Sequence, residues 1–241
     1  MEFGKVPAVI ARDLEFEPGN ENCYDYFMRN TEQHGDYTCF SHYGRTHLKS
    51  EFVADVMAVS AFYKNELGFK QGDVYTIFSP TNVESMILFM ALNRLGVIVN
   101  FVHPLRPPDN LKEILDFTKS KGIMVLDMFV AKYAETIGNQ NIPCTIVVPS
   151  CYALPDKYSA KANEEAMAVV AAKIKNCITY PEILKKYADQ SVEGVTNNKD
   201  AIAIYANGGG TTGKSKTIKL SNGSINELIY MLGAQNTPVE E

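Results

Sequence analysis

From about residue 50 onward, segments with helical spacing alternate with short apolar runs. That alternation restricts the fold of this 241-residue chain more than any other feature. Phe52, Val56, Val59, Tyr63 and Leu67 recur at three- and four-residue intervals, as on one face of an amphipathic helix. The turn Lys70-Gln71-Gly72-Asp73 then feeds residues 74–78, a β-branched and aromatic run that predicts a strand. Residues 83–95 have helical spacing and are apolar on nearly every side (Met86, Ile87, Phe89, Met90, Leu92). Such a helix is expected to be buried on more than one face, and Gly96 ends it. Residues 97–102 predict the next strand, which Pro104-Leu105-Arg106-Pro107-Pro108 cannot prolong inside a sheet. Leu111, Ile114, Leu115 and Thr118 mark a further helix, and residues 123–126 and 145–148 are short apolar runs expected of buried parallel strands. Residues 149–160 read as an irregular connection and 161–175 as a helix. Pro181 suits the first turn of a short helix ending at Tyr187. A polar stretch, 188–200, then leads into the strand 201–205. Strands and helices in this order predict an α/β fold with a mostly parallel sheet flanked by helices.

Length and composition set the outer limits. With 46% hydrophobic residues the chain can bury one large or two small cores. A division is expected between an α/β unit over residues 1–195 and the start of a second unit over 196–241. The charge balance, 23 basic against 28 acidic residues, argues against a general nucleic-acid surface, while leaving room for a small anionic ligand met by local positive charge. Cysteines at 23, 39, 144, 151 and 177 form no C-x-x-C pair and read as reduced thiols. No run of 18 apolar residues predicts a membrane span, and residues 1–14 lack a signal-like apolar stretch. A soluble cytoplasmic protein is the expectation.

The densest chemical signal is Gly208-Gly209-Gly210-Thr211-Thr212-Gly213-Lys214-Ser215-Lys216. Glycines let backbone N–H groups approach an anion closely, hydroxyls add donors, and lysine adds charge. Gly208-x-x-x-x-Gly213-Lys214-Ser215 satisfies the Walker A pattern, which requires a helix starting at the Gly-Lys-Ser so that its N-terminus holds phosphate. The residues that follow, Thr217-Ile218-Lys219-Leu220, alternate and are β-branched, and Asn222-Gly223 is a turn dipeptide. The first helical segment after the loop is expected at 224–232, with Ser224 as N-cap and Glu227 completing a capping box. The order strand, loop, strand, turn, helix favours a phosphate loop of a different kind. A helix at 213–215 supports a P-loop NTPase or kinase; a strand at 217–220 supports the other reading.

In that order, residues 210–222 resemble the phosphate-loop signature of the adenylate-forming enzymes: acyl-CoA synthetases, luciferases and nonribosomal-peptide adenylation domains. Their usual form is Ser-Gly-Thr-Thr-Gly-x-Pro-Lys-Gly-Val followed by Ser/Thr-His. Upstream, Cys23-Tyr24-Asp25-Tyr26-Phe27, Tyr43-Gly44-Arg45, Glu51-Phe52, residues 68–74, Pro80-Thr81-Asn82, residues 91–97 and Pro104 are similar to family segments in the same order. The chain departs from the pattern at Gly208 and Gly209, where Thr and Ser are common. It departs again at Ser215 for proline, Thr217 for glycine, Asn222 for histidine, and Leu48-Lys49 for Thr-Tyr.

The resemblance implies a two-step reaction. A carboxylate attacks the α-phosphate of ATP to give an acyl-adenylate and pyrophosphate, with Mg²⁺ expected; a thiol, of CoA or a phosphopantetheine arm on a carrier protein, then takes the acyl group. It assigns Gly209, Gly210, Thr211, Thr212, Gly213 and Lys216 to the phosphates, leaving Lys214 an accessory charge. The family's adenine segment, ribose aspartate and lysine-bearing C-terminal domain cannot be placed in the 19 residues after Asn222. The chain is therefore expected to be the front portion of a longer enzyme, inactive alone, with its catalytic residues elsewhere. A non-catalytic nucleotide- or acyl-binding module is the further alternative. His34, His42, His47 and His103 are scattered and read as surface or structural residues, with His103 at a strand end where α/β ligand sites lie. Met86, Met90 and Met124 read as core, and Arg106 as a solvated loop cation.

Overall fold

The computed structural model describes residues 19–42, 44–140, 142–150, 174, 176–196, 198–208 and 216–235. Helix α1 (Cys23–Thr31) starts at Asn22, whose side chain accepts the Asp25 N–H at 2.8 Å. Strands β1 (Thr38–His42) and β2 (Arg45–Leu48) pair antiparallel in a small sheet of their own. Helix α2 (Lys49–Ala61) follows, with Glu51 holding the Leu48 N–H at 2.9 Å. It winds into a π-turn over Phe62–Glu66, so the helical periodicity read as far as Leu67 spans two kinds of winding.

The main sheet is built from β3 (Val74–Phe78), β4 (Ile98–Val102), β5 (Ile123–Leu126), β6 (Thr145–Val148), β7 (Cys177–Thr179), β8 (Ile202–Gly208) and β9 (Lys216–Ser221). Their order is β7-β6-β5-β3-β4-β8-β9, and every pairing is parallel except β8 with β9. The connecting helices are α3 (Val83–Arg94), α4 (Pro108–Thr118), α5 (Asp127–Gly138) and α6 (Tyr180–Tyr187), with α7 (Asn222–Gln235) after β9. The α/β architecture with a mostly parallel, helix-flanked sheet is thus as expected. Strands β8 and β9 enter the same sheet through the β4–β8 pairing.

Period-two alternation divides the strand side chains between two cores. Tyr75, Ile77, Val99, Met124, Leu126, Ile146 and Val148 pack with residues of α1, α2, α3 and α6. Phe78, Val102, Ile123, Val125 and Val147 pack with Leu111, Ile114 and Leu115 of α4 and Val130, Tyr133 and Ile137 of α5. The strands β3, β5 and β6 are buried along their whole length, which is why they read as continuous apolar runs. Helix α3 is buried on nearly all sides, as its composition predicts. Met90 and Met124 lie in the core as expected; Met86 is half-buried. Cys23, Cys39, Cys144 and Cys177 are free thiols, and burial pushes Cys23 up to about 12 and Cys144 to about 11. Cys151 and the connection at 151–160 lie outside the described residues, as does the helix read over 161–175 apart from Ile174, which packs in the second core.

One local expectation fails. Asn222-Gly223 is not a turn, and Ser224 is not an N-cap: α7 already begins at Asn222, and the Ser224 N–H bonds to Ser221 Oγ at 3.2 Å. The reason is tertiary. Asn222 is fully buried, and its Oδ1 accepts from Asn93 Nδ2 at 2.8 Å and from Cys23 Sγ at 3.4 Å. Its Nδ2 donates to the Asn198 carbonyl at 3.2 Å. This node ties α7 to α1 and α3.

Candidate functional site

Parallel strands end at a common edge of the sheet, and in α/β proteins ligands bind outside that carboxyl edge. Here the register sets Phe78 beside Val102 and Phe101 beside Ala206, so β3, β4 and β8 deliver their following loops side by side. Residues 79–82, residues 103–107 and the end of β8 therefore converge. Strand β9 returns antiparallel, with Gly208 opposite Lys216 and Asn207 opposite Thr217. The glycine-rich segment is thus carried between two paired strands. A strand at Lys216–Ser221 removes the helix that the Walker A geometry requires, and with it the kinase reading.

Of the residues assigned to phosphate, Lys216 is placed at the mouth of this stem, exposed and opposite Gly208. Gly209, Gly210, Thr211, Thr212 and Gly213 lie outside the described residues, with Lys214 and Ser215. Gly208 leaves room at the stem: an added Cβ would come no nearer to any described atom than 3.9 Å, from the Lys216 carbonyl oxygen.

Asn207 anchors the stem. Its Nδ2 donates to Asn100 Oδ1 at 2.7 Å and to the Phe101 carbonyl at 2.9 Å, while its Oδ1 accepts from Thr217 Oγ1 at 3.1 Å. Arg106 adds a contact that sequence reading missed. It is half-buried rather than solvated: one guanidinium nitrogen donates to the Asn207 carbonyl at 3.2 Å and another to Asn110 Oδ1 at 3.4 Å. The prolines around it hold the loop, and the buried Tyr133 hydroxyl secures it by donating to the Arg106 and Pro104 carbonyls, at 2.7 and 3.1 Å. A positive charge therefore stands at the base of the stem. His103 is exposed and uses Nδ1 to accept the Leu105 N–H at 3.2 Å, a local bond. His47 is buried in the β1–β2 hairpin, and burial lowers its pKa.

Beside the stem, on the α3 side of the sheet, Ser79, Pro80, Thr81, Ser85, Met86 and Phe101 line a cavity of about 230 Å³. The N-terminus of α3 opens here, with Asn82 Oδ1 accepting the Ser85 N–H at 2.8 Å and Ser85 Oγ accepting the Asn82 N–H at 3.1 Å. Glu84, in the same turn, is buried, and its Oε2 has no hydrogen-bond partner among the described residues. Desolvation raises its pKa, partly countered by a hydrogen bond from its own backbone N–H and then by the charges of His42 and Arg45. The sequence did carry a signal for Glu84, the one carboxylate in a helix that is apolar on nearly every side.

The family profile described as AMP-binding enzyme matches residues 27–240. The chain is 24% identical over 215 residues to a long-chain-fatty-acid–CoA ligase of Haemophilus influenzae, covering 85% of this chain and 37% of that protein. It is 22% identical over 225 residues to an acetyl-coenzyme A synthetase of Helicobacter pylori, covering 90% of this chain and 32% of that protein. It therefore spans about a third of the length of the curated relatives it matches. Among solved structures, an anthranilate CoA ligase in complex with anthranoyl-AMP superposes with a TM-score of 0.69 at 18% identity, covering 91% of this chain and 37% of that one. The adenylation domain of a carboxylate reductase from Mycobacterium chelonae also gives 0.69, at 15% identity, covering 88% and 36%. These structures share the fold, and the profile match covers most of the sequence. The chain belongs to the AMP-binding enzyme family.

Proposed function

We propose that this chain is the phosphate-binding part of an AMP-forming acid–thiol ligase, in which Gly209, Gly210, Thr211, Thr212, Gly213 and Lys216 hold the phosphates of ATP. The observation that carries this reading is the antiparallel stem from β8 to β9 at the carboxyl edge of a parallel sheet, in a chain of the AMP-binding family. The reaction brings an anionic carboxylate to an anionic triphosphate, so neutralisation and positioning account for most of the barrier lowering. In the first step the acid's oxygen forms a bond to the α-phosphorus while the bond to pyrophosphate breaks. In the second, the acyl carbon bonds to sulfur and AMP leaves. The chain's own contribution is to the first step. Backbone N–H groups of the loop and the Lys216 ammonium would bind the phosphate oxygens, and Arg106 would add positive potential from the base of the stem.

ATP with Mg²⁺ is the expected cosubstrate, and CoA or a phosphopantetheine thiol the acceptor. The CoA ligases among the relatives support a thiol acceptor. The mild acidic charge argues against a general nucleic-acid surface and leaves room for a small anionic ligand, and no helix of the described residues is long and apolar enough to cross a membrane. A cytoplasmic location follows from the same reading. The adenine, ribose and lysine-domain parts of the family pattern are not among these 241 residues, so the chain alone is expected to bind ATP without turnover.

Calorimetric titration with ATP tests this. Lys216→Ala is expected to weaken binding about tenfold or more, the worth of one charge-assisted hydrogen bond. No pyrophosphate is expected from the isolated chain with any carboxylate. Unchanged affinity in the variant overturns the assignment of Lys216, and absence of ATP binding by the unaltered chain overturns the nucleotide reading.

A further inference from the structure

The two strands that carry the glycine-rich segment are joined to the middle strand of the sheet and to α4 by a line of side-chain hydrogen bonds. Thr217 Oγ1 meets Asn207 Oδ1 at 3.1 Å, and Asn207 Nδ2 meets Asn100 Oδ1 at 2.7 Å. Asn100, fully buried, reaches Thr76 Oγ1 with Nδ2 at 2.8 Å. Thr76 Oγ1 lies 2.6 Å from Ser120 Oγ, which lies 2.9 Å from Thr118 Oγ1. Thr118 Oγ1 ends the line on the Ile114 carbonyl at 2.7 Å. The line crosses β9, β8, β4 and β3 and finishes on α4.

The chemistry of the members fixes its direction. A carbonyl can only accept, so the single hydroxyl proton of Thr118 is committed to Ile114. Ser120 must then donate to Thr118, and Thr76 must donate to Ser120. At the other end, the Phe101 carbonyl at 2.9 Å requires the nitrogen of the Asn207 amide to face β4. That leaves the Asn207 oxygen toward Thr217, whose hydroxyl donates. Every proton in the line therefore points from the loop stem toward α4, and aligned hydrogen bonds polarise and strengthen one another.

Such an arrangement has a use at this place. Gly208 and Lys216 are the paired ends of the stem, so whatever fixes the β8–β9 pairing fixes where those two ends stand. Asn207 and Thr217 face each other across the stem, one residue outside Gly208 and Lys216. Arg106 grips the Asn207 carbonyl from the neighbouring loop. We propose that Asn207 and Thr217 are positioning residues that fix the paired stem ends Gly208 and Lys216, held in place by this one-directional hydrogen-bond line through Asn100, Thr76 and Ser120. The consequence for ATP rests on the nucleotide reading above; the mechanical coupling does not.

Amide hydrogen exchange on the 241-residue chain, followed by NMR, tests the coupling. Thr217→Val removes the terminal donor and is expected to raise exchange of the amides at 206–208 and 216–218 about tenfold, as for one lost hydrogen bond. Thr217→Ser is expected to return it to the unaltered rate. Ser120→Ala, which touches neither stem strand, is expected to raise the same amides about threefold. Combined with Thr217→Val, it should give less than the product of the two effects, because both interrupt one line. Equal rates in the Val and Ser variants, no response to Ser120→Ala, or strictly multiplicative effects would each overturn the line. ATP titration of the same variants reads the positioning role: Thr217→Val is expected to weaken ATP about tenfold and Thr217→Ser to leave it unchanged. Raised exchange with unchanged ATP affinity overturns that role. If the unaltered chain binds no ATP, the nucleotide reading falls, and the exchange rates alone decide the coupling.

Discussion

Replacing Asn222 by alanine should destabilise the protein by about 2–4 kcal/mol. Asn222 makes three side-chain hydrogen bonds from a fully buried position, to Asn93, Cys23 and the Asn198 carbonyl. A hydrogen bond contributes roughly 1 kcal/mol net, and a buried group that loses its partner costs about 1–3 kcal/mol. The thiol bond at 3.4 Å is the weakest of the three, and the amide vacated by alanine leaves only a small void. The estimate therefore rests mainly on the Asn93 and Asn198 contacts. For a chain of this size each kcal/mol moves the melting temperature by about 2–4 °C, so scanning calorimetry should record a fall of roughly 4–16 °C. Asn222→Asp separates the contributions: at neutral pH it can still accept from Asn93 and Cys23 but cannot donate to Asn198. It should be destabilised through that lost donor and through the buried charge. A melting temperature for Asn222→Ala within about 2 °C of the unaltered protein would refute the claim that this node ties α7 to α1 and α3.

Other positions give independent checks. Burial raises the Asp55 carboxyl from 3.8 to about 6, opposed by the Tyr180 hydroxyl at 3.3 Å and the Arg45 charge, and reinforced by Glu51 and Glu84. The folded state thus holds this proton more tightly than the unfolded one, and stability is lost as pH rises from about 4 through 6. Asp55→Asn should raise the melting temperature at pH 7.5, recovering up to about 3 kcal/mol, and leave it unchanged at pH 4; an equal gain at both pH values would contradict the linkage. Gly122→Ala would set a methyl 2.5 Å from the buried Tyr75 ring, and should cost about 1–3 kcal/mol in urea unfolding. Gly96→Ala combines φ +71° with approaches of 2.8 Å to Gln71 and 2.9 Å to Val195, and should cost at least about 1 kcal/mol by the same measurement. A neutral result at either glycine would contradict the packing described.

The architecture was legible in the sequence because β3, β5 and β6 are buried on both faces and so appear as uninterrupted apolar runs, while α3 and α4 keep helical spacing. The β1–β2 hairpin was not, since Thr38–His42 is half-exposed and shows no clean alternation. Strand β7 has three residues, too few for any periodicity to show. Asn222 misled for a physical reason: next to Gly223 it has the local preference of a turn, but three distant partners draw it into a helix. At the site, the strand after the loop was readable from Thr217-Ile218-Lys219-Leu220. The roles of Arg106 and Asn207 were not. Their contacts join residues 101 and 107 positions apart, and a sequence alone does not reveal such pairs.

The position of β8 also governs the order in which the protein can form. Strands β3, β4, β5 and β6 are near one another along the chain, and each can pair soon after its neighbour exists. Strand β8 pairs Ile204 with Val99, and the chain first travels out to β7 at one margin of the sheet before returning across it. Closing so long a segment costs entropy that local contacts do not, and such pairings form slowly. The hairpin of β8 and β9 can dock only on a β4 that is already ordered. A refolding intermediate should therefore protect the amides of β3 to β6 while those of the hairpin still exchange, and the β8–β9 stem would take shape after them.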